Sequence, residues 1–194
     1  MSKLAARDLL SLEQYSRERP QFRARVIAHK KNRHLPVGPN TMWLFEDRLT
    51  VQYQVQEMLR TERIFEAEGI DEELEAYNPL IPDGRNWKAT LLIEFADPEV
   101  RRVQLEKLRG VEDRCWVQVE GFDRVFAIAD EDLERENEVK TSAVHFLRFE
   151  LTDPMAAALK AGASLGAGID HPNYSHAIPK LPEPVRQALL GDLA

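Results

Sequence analysis

The apolar pattern of the chain turns from mainly helical to mainly alternating near the Pro82-Asp83-Gly84 turn signal, and that switch limits the architectures open to it. Before the switch, apolar residues recur mainly at helical spacing. After it, short alternating runs bounded by glycine and proline read as strands. The expected fold is α+β: a helical N-terminal third followed by a mostly antiparallel sheet with helices packed on it.

Within the first part, Asp8 or Ser11 can cap a short helix ending near Arg19. Pro20 suits the first turn of a second helix, whose apolar stripe is Phe22, Val26 and Ile27. Residues 34–40 are a breaker-rich connection to a short strand at 41–45. Residues 46–66 read two ways. Leu49, Val51, Tyr53 and Val55 alternate like a strand, whereas Val51, Val55, Met58 and Phe65 share one helical face. The stretch contains no glycine or proline, so one long helix is the reading adopted. A short helix follows around 71–77.

In the second part, strands are expected at 89–95 and 142–151, a hairpin at 115–120 and 125–129, and a closing strand at 164–169. Helices are expected at 98–108 and 154–161, the latter ended by Gly162. Residues 1–174 form one α+β domain on this reading. Residues 175–194, with Pro179, Pro182 and Pro184, form a C-terminal arm with a helix at 185–190.

The 194 residues are 43% hydrophobic and 30% charged, the balance of a folded soluble protein. No apolar run reaches the ~18–20 residues that cross a bilayer, and the first residues lack a signal-peptide core. A cytoplasmic protein without a membrane role is expected. The single cysteine excludes an internal disulfide and a cysteine-only zinc site. Its alternation with Val117 and Val119 points Cys115 into the core.

The net charge of −7 is unevenly spread. Residues 17–34 carry seven basic side chains against Glu18, a block of +6, which leaves −13 elsewhere. Residues 130–138 hold six acids and one base. Opposed patches of this kind steer protein association, with Arg23, Arg25, Lys30 and Lys31 as the partner-binding candidates. The alternative is a solvated helix neutralised within the fold. The acidic remainder argues against nucleic-acid binding.

Five histidines come first as chemistry. His29 lies on the Phe22/Val26 side of its helix. His145 shares a strand face with Leu147 and Phe149, the usual place for a structural histidine. Asp170-His171-Pro172 projects a carboxylate–imidazole pair at a strand end, where an ordinary turn is the competing reading. His29, His145, His171 and a carboxylate such as Asp170 are the candidates for a single bound metal ion; no motif specifies any other cofactor. There is no E-x-x-H or phosphate-binding glycine loop, so enzyme and binding protein both stay open.

The stretches RVIAHKK (25–31), QVQEMLR (54–60), AYNPLIPDG (76–84), AVHFLRFE (143–150) and GIDHP (168–172) together resemble an uncharacterised bacterial domain-of-unknown-function family. The likeness covers about residues 8–174. It implies a place beside a rubrerythrin-like protein and a heterodisulfide-reductase-like iron–sulfur oxidoreductase, in a redox or peroxide-handling system. It implies no catalytic residue. The function expected is an accessory protein that docks such a partner, with a metal-dependent redox protein or enzyme as the alternative.

Overall fold

The computed structural model of the chain describes residues 2–131 and 140–194. Helix α1 (Leu12–Lys30) starts at Ser11, whose hydroxyl accepts the Gln14 N–H while the Gln14 side chain accepts the Ser11 N–H. It runs unbroken through Pro20, where two helices were expected. Proline removes one helical hydrogen bond, but Pro20 and Ser16 are exposed, so water can satisfy the freed Ser16 carbonyl. Packing on both sides of the proline then fixes the helix. Tyr15 meets Phe22 edge-on, Phe22 stacks on Tyr53, and Arg19 grips Glu57 with two bonds of 2.7 and 2.8 Å. The buried stripe is Tyr15, Phe22 and Val26; Ile27, expected inside, is 46% exposed.

Helix α2 (Arg48–Glu62) is the long helix expected, but it stops before Phe65, which was expected on its apolar face and is 68% exposed. Asp47 caps it by accepting the Thr50 N–H at 2.9 Å, and Arg63 ends it in the left-handed conformation. Val51, Val55 and Leu59 pack with Leu74 of α3 (Ala67–Tyr77) and with Leu4 and Ile81. Side-chain amides strap the preceding segment down. Gln56 pairs with both the N–H and carbonyl of Leu10, and Asn78 does the same with Leu4.

Two antiparallel sheets follow. In the first, β1 (His34–Pro36), β2 (Thr41–Glu46), β3 (Asn86–Ile93), β7 (Val144–Glu150) and β6 (Ile128–Ala129) lie in the order β1-β2-β3-β7-β6. The second has the order β5-β4-β8-β9, from β4 (Cys115–Val119), β5 (Val125–Phe126), β8 (Leu165–His171) and β9 (Tyr174–Ile178). The expected hairpin is therefore split. β5 pairs with β4, but the chain then crosses at Ala127 and gives β6 to the other sheet. The expected closing strand is interior, with β9 outside it.

The two sheets bury one core between them, including Trp43, Trp87, Leu91 and Phe149 from the first and Val117, Leu165 and Ile169 from the second. Helices α4 (Pro98–Lys107), α5 (Asp153–Lys160) and α6 (Glu183–Leu190) complete it; Trp87 Nε1 donates to the Leu189 carbonyl of α6. The Cys115 thiol is fully buried there, and burial pushes it well above its ordinary range. The side chains that alternate away from that core make the outer face of the first sheet, turned toward the helices. Glu46, Lys88 and Arg148 form one cross-strand row, and Leu44, Thr90 and Phe146 the next.

Candidate functional site

That outer face floors a cleft roofed by α2, α3 and the loop after α3. Two adjoining cavities of about 350 and 250 Å³ share Tyr77, Leu80 and Phe146. Met58, Ala76 and Pro79 line the larger with the charged side chains of Lys88, Arg148, Glu73 and Glu131; Lys30, Gln54 and Thr90 line the smaller. The size suits a small organic molecule.

Most charges in the cleft are already answered. Arg148 donates two bonds of 2.8 Å to Glu131 and one of 2.6 Å to Glu150. Those bonds hold the Glu131 carboxyl below its ordinary range. Glu46 accepts from the Thr50 hydroxyl at 2.5 Å and the Thr90 hydroxyl at 3.1 Å. Lys88 differs. Among the described residues its half-buried amine has neither a hydrogen-bond acceptor nor a carboxylate within 4.0 Å. Burial lowers its pKa first, and the Arg148 charge adds to this against the opposing Glu131, Asp83 and Glu150.

The histidine candidates occupy separate places. His29 Nε2 lies 2.5 Å from Asp47 Oδ2, beside the buried Arg33, which pairs with Asp47 at 3.4 Å and with Asp192. His171 is held at both nitrogens: Nδ1 accepts the Asn173 N–H at 3.2 Å, and Nε2 contacts the Arg109 carbonyl at 3.0 Å. Neighbouring Asp170 is exposed and pairs with Arg124 at 3.2 Å. His145 is fully buried, 2.6 Å from Asp130 through Nδ1 and 3.0 Å from both Thr141 Oγ1 and the Ser142 carbonyl through Nε2. Glu112 is 3.7 Å from it. Among the described residues, Glu112, Asp130 and His145 are the group whose ligand atoms lie within 4.8 Å of one another. Sequence reading nominated only His145 of these three.

Three of the seven side chains of the basic block are ion-paired, and Arg33 is buried. Arg17 pairs with Glu13, Arg19 with Glu57, and Arg33 with Asp47 and Asp192. Arg23, Arg25 and Lys31 are exposed and form no ion pair among the described residues; Arg25 lies over the Phe22 ring and Lys30 beside Tyr53. Residues 132–138 of the acidic run lie outside the described residues.

A family model described as a protein of unknown function, DUF3501, matches residues 3–193. The chain belongs to that family. The match runs on to residue 193, through nearly all of the C-terminal segment that the sequence resemblance left out. A crystal structure of a novel protein of unknown function from Burkholderia pseudomallei K96243 is similar over 100% of both chains, with 52% identity and a TM-score of 0.94. No curated protein matches. No helix of the described residues is long and apolar enough to cross a membrane. Four of the five stretches that carry the family resemblance reach the cleft, through Lys30, Gln54 and Met58, residues 76–80, and residues 146–148.

Proposed function

We propose that this DUF3501 chain is a binding protein for a small amphipathic organic anion, held in the cleft between α2/α3 and the outer face of the first sheet. The observation that carries this is Lys88, whose amine has no carboxylate within 4.0 Å among the described residues, in a cavity walled mainly by Met58, Leu80, Phe146 and other apolar groups. A half-buried charge gains most from a partner that brings the opposite charge and displaces water. The aliphatic and aromatic walls take the body of such a molecule.

The test uses 1-anilinonaphthalene-8-sulfonate, itself an amphipathic anion. Its fluorescence is expected to rise on the folded protein and to fall when benzoate or phenylphosphate competes. Ala76→Trp, which fills the cleft, and Lys88→Met, which removes the charge, should each weaken binding about tenfold. Equal binding by both variants, with unchanged circular dichroism, overturns the reading.

The exposed Arg23, Arg25 and Lys31 around Ile27 favour a second reading, an accessory role in a redox system through an acidic partner. The rubrerythrin-like protein or iron–sulfur oxidoreductase that the resemblance implies is the partner to test. Co-purification at low salt, lost at high salt and on Arg23, Arg25, Lys30 and Lys31→Glu changes, supports it. A complex indifferent to both salt and these charges sinks it.

A further inference from the structure

We propose that Lys88 is a reactive amine that forms an imine with an aldehyde or ketone bound in the cleft. This rests on the anion-binding reading above and specifies the class of ligand. Lys88 stands on β3, a strand interior to its sheet, so its backbone is fixed by pairing on both sides. Its register partner on β7 is Arg148, and its partner on β2 is Glu46. Both are committed elsewhere: Arg148 to Glu131 and Glu150, Glu46 to Thr50 and Thr90. The amine thus reaches into the 350 Å³ cavity with no acceptor of its own among the described residues.

An ammonium has no lone pair and does not attack a carbonyl; a neutral amine does. Desolvation favours the neutral form, the Arg148 guanidinium adds to it, and together they outweigh Glu131, Asp83 and Glu150, so the lowered proton affinity of Lys88 agrees with this placement. In the step, the amine nitrogen forms a bond to the carbonyl carbon. The carbonyl oxygen takes up protons and leaves as water, and the nitrogen gives up its two protons to cleft water as the C=N bond forms. No oxidant or reductant is consumed.

The probe is 4-carboxybenzaldehyde, which joins the anionic group, apolar body and aldehyde in one small molecule. Intact protein at pH 7.5 is treated with it and sodium cyanoborohydride, and labelled peptides are quantified by mass spectrometry. Lys88 should carry the reduced adduct at least about tenfold more than any other lysine. Benzoate should protect it. Lys88→Arg, which offers a guanidinium in place of the nucleophilic amine, should lose the label. Label spread evenly over the lysines, or unprotected by benzoate, overturns the proposal without recourse to any variant. If benzoate and the naphthalene sulfonate bind but Lys88 stays unlabelled, the imine falls and the cleft reading stands. If neither anion binds, the cleft reading falls, and the imine falls with it.

Discussion

Arg33→Met is expected to cost about 4–6 kcal/mol of stability at pH 8. Arg33 is 2% exposed, and its guanidinium donates to the carbonyls of Phe45 at 3.0 Å, Glu46 at 3.1 Å and Ala188 at 3.4 Å. Each lost charge-assisted bond is worth about 1–2 kcal/mol. Asp47 and Asp192 would also remain buried without their cation, which costs about 3–5 kcal/mol and overlaps with the first sum. For a chain of this size the total lowers Tm by roughly 10–20 °C.

The loss should depend on pH. Burial pushes the Asp192 carboxyl up to about 6, against the pull of Arg33. The folded state therefore binds a proton more readily than the unfolded chain, so the group favours folding at low pH. That contribution is lost as pH rises through the folded value. In the wild type the decline ends near pH 6–7; without Arg33 it continues to higher pH. The gap between the two proteins should widen between pH 5 and pH 8 in urea unfolding followed by circular dichroism. A loss below about 1 kcal/mol, or the same loss at both pH values, refutes the reasoning.

Three further outcomes are expected. Arg19 and Tyr15 hold Glu57 at about 2, so its stabilisation is present above the ordinary carboxylate range and lost as pH falls toward 2. Tm measured against pH should show a Glu57→Gln deficit of about 1–2 kcal/mol at pH 7, closing near pH 2. Gly38→Ala should cost about 2–4 kcal/mol in urea unfolding. Its φ is +79°, and a Cβ would stand 2.5 Å from the His176 ring and 2.6 Å from the Tyr174 hydroxyl. His145→Ala should destabilise by about 2–4 kcal/mol through the bonds left unmade by Asp130 and Thr141. EDTA should leave the wild-type Tm unchanged; a fall of several degrees would instead assign a cation to Glu112, Asp130 and His145.

Local order was legible where one residue's neighbours in sequence decide its state. Val51 and Val55 lie one turn apart in a stretch without a breaker, and α2 formed there, although its buried face continues through Leu59 and not through Phe65. The inward face of β7 was equally plain from the alternation of His145, Leu147 and Phe149. Pro20 misled because its effect on α1 is settled by Tyr15, Phe22 and Tyr53, which sequence does not place together. The cleft was hidden for the same reason. Glu46, Lys88 and Arg148 are neighbours only through strand register, and nothing local announces that 46, 88 and 148 share a row. Asp130 was visible as part of an acidic run, but its bond to His145 depends on β6 joining the first sheet after β5 has joined the second.

Arg33 and Asp192 are separated by 159 residues, which gives their ion pair a place in time. At roughly 5–20 residues per second, the ribosome supplies the carboxylate about 10–30 s after the guanidinium. Through that interval β1 and β2 can pair, yet the cation beside them has only Asp47 and waits for its second carboxylate and for the helix that shields it. The first sheet therefore closes last at its oldest corner. A nascent chain stalled before residue 192 should keep that corner open to water, proteases and chaperones, whatever the state of the strands around it.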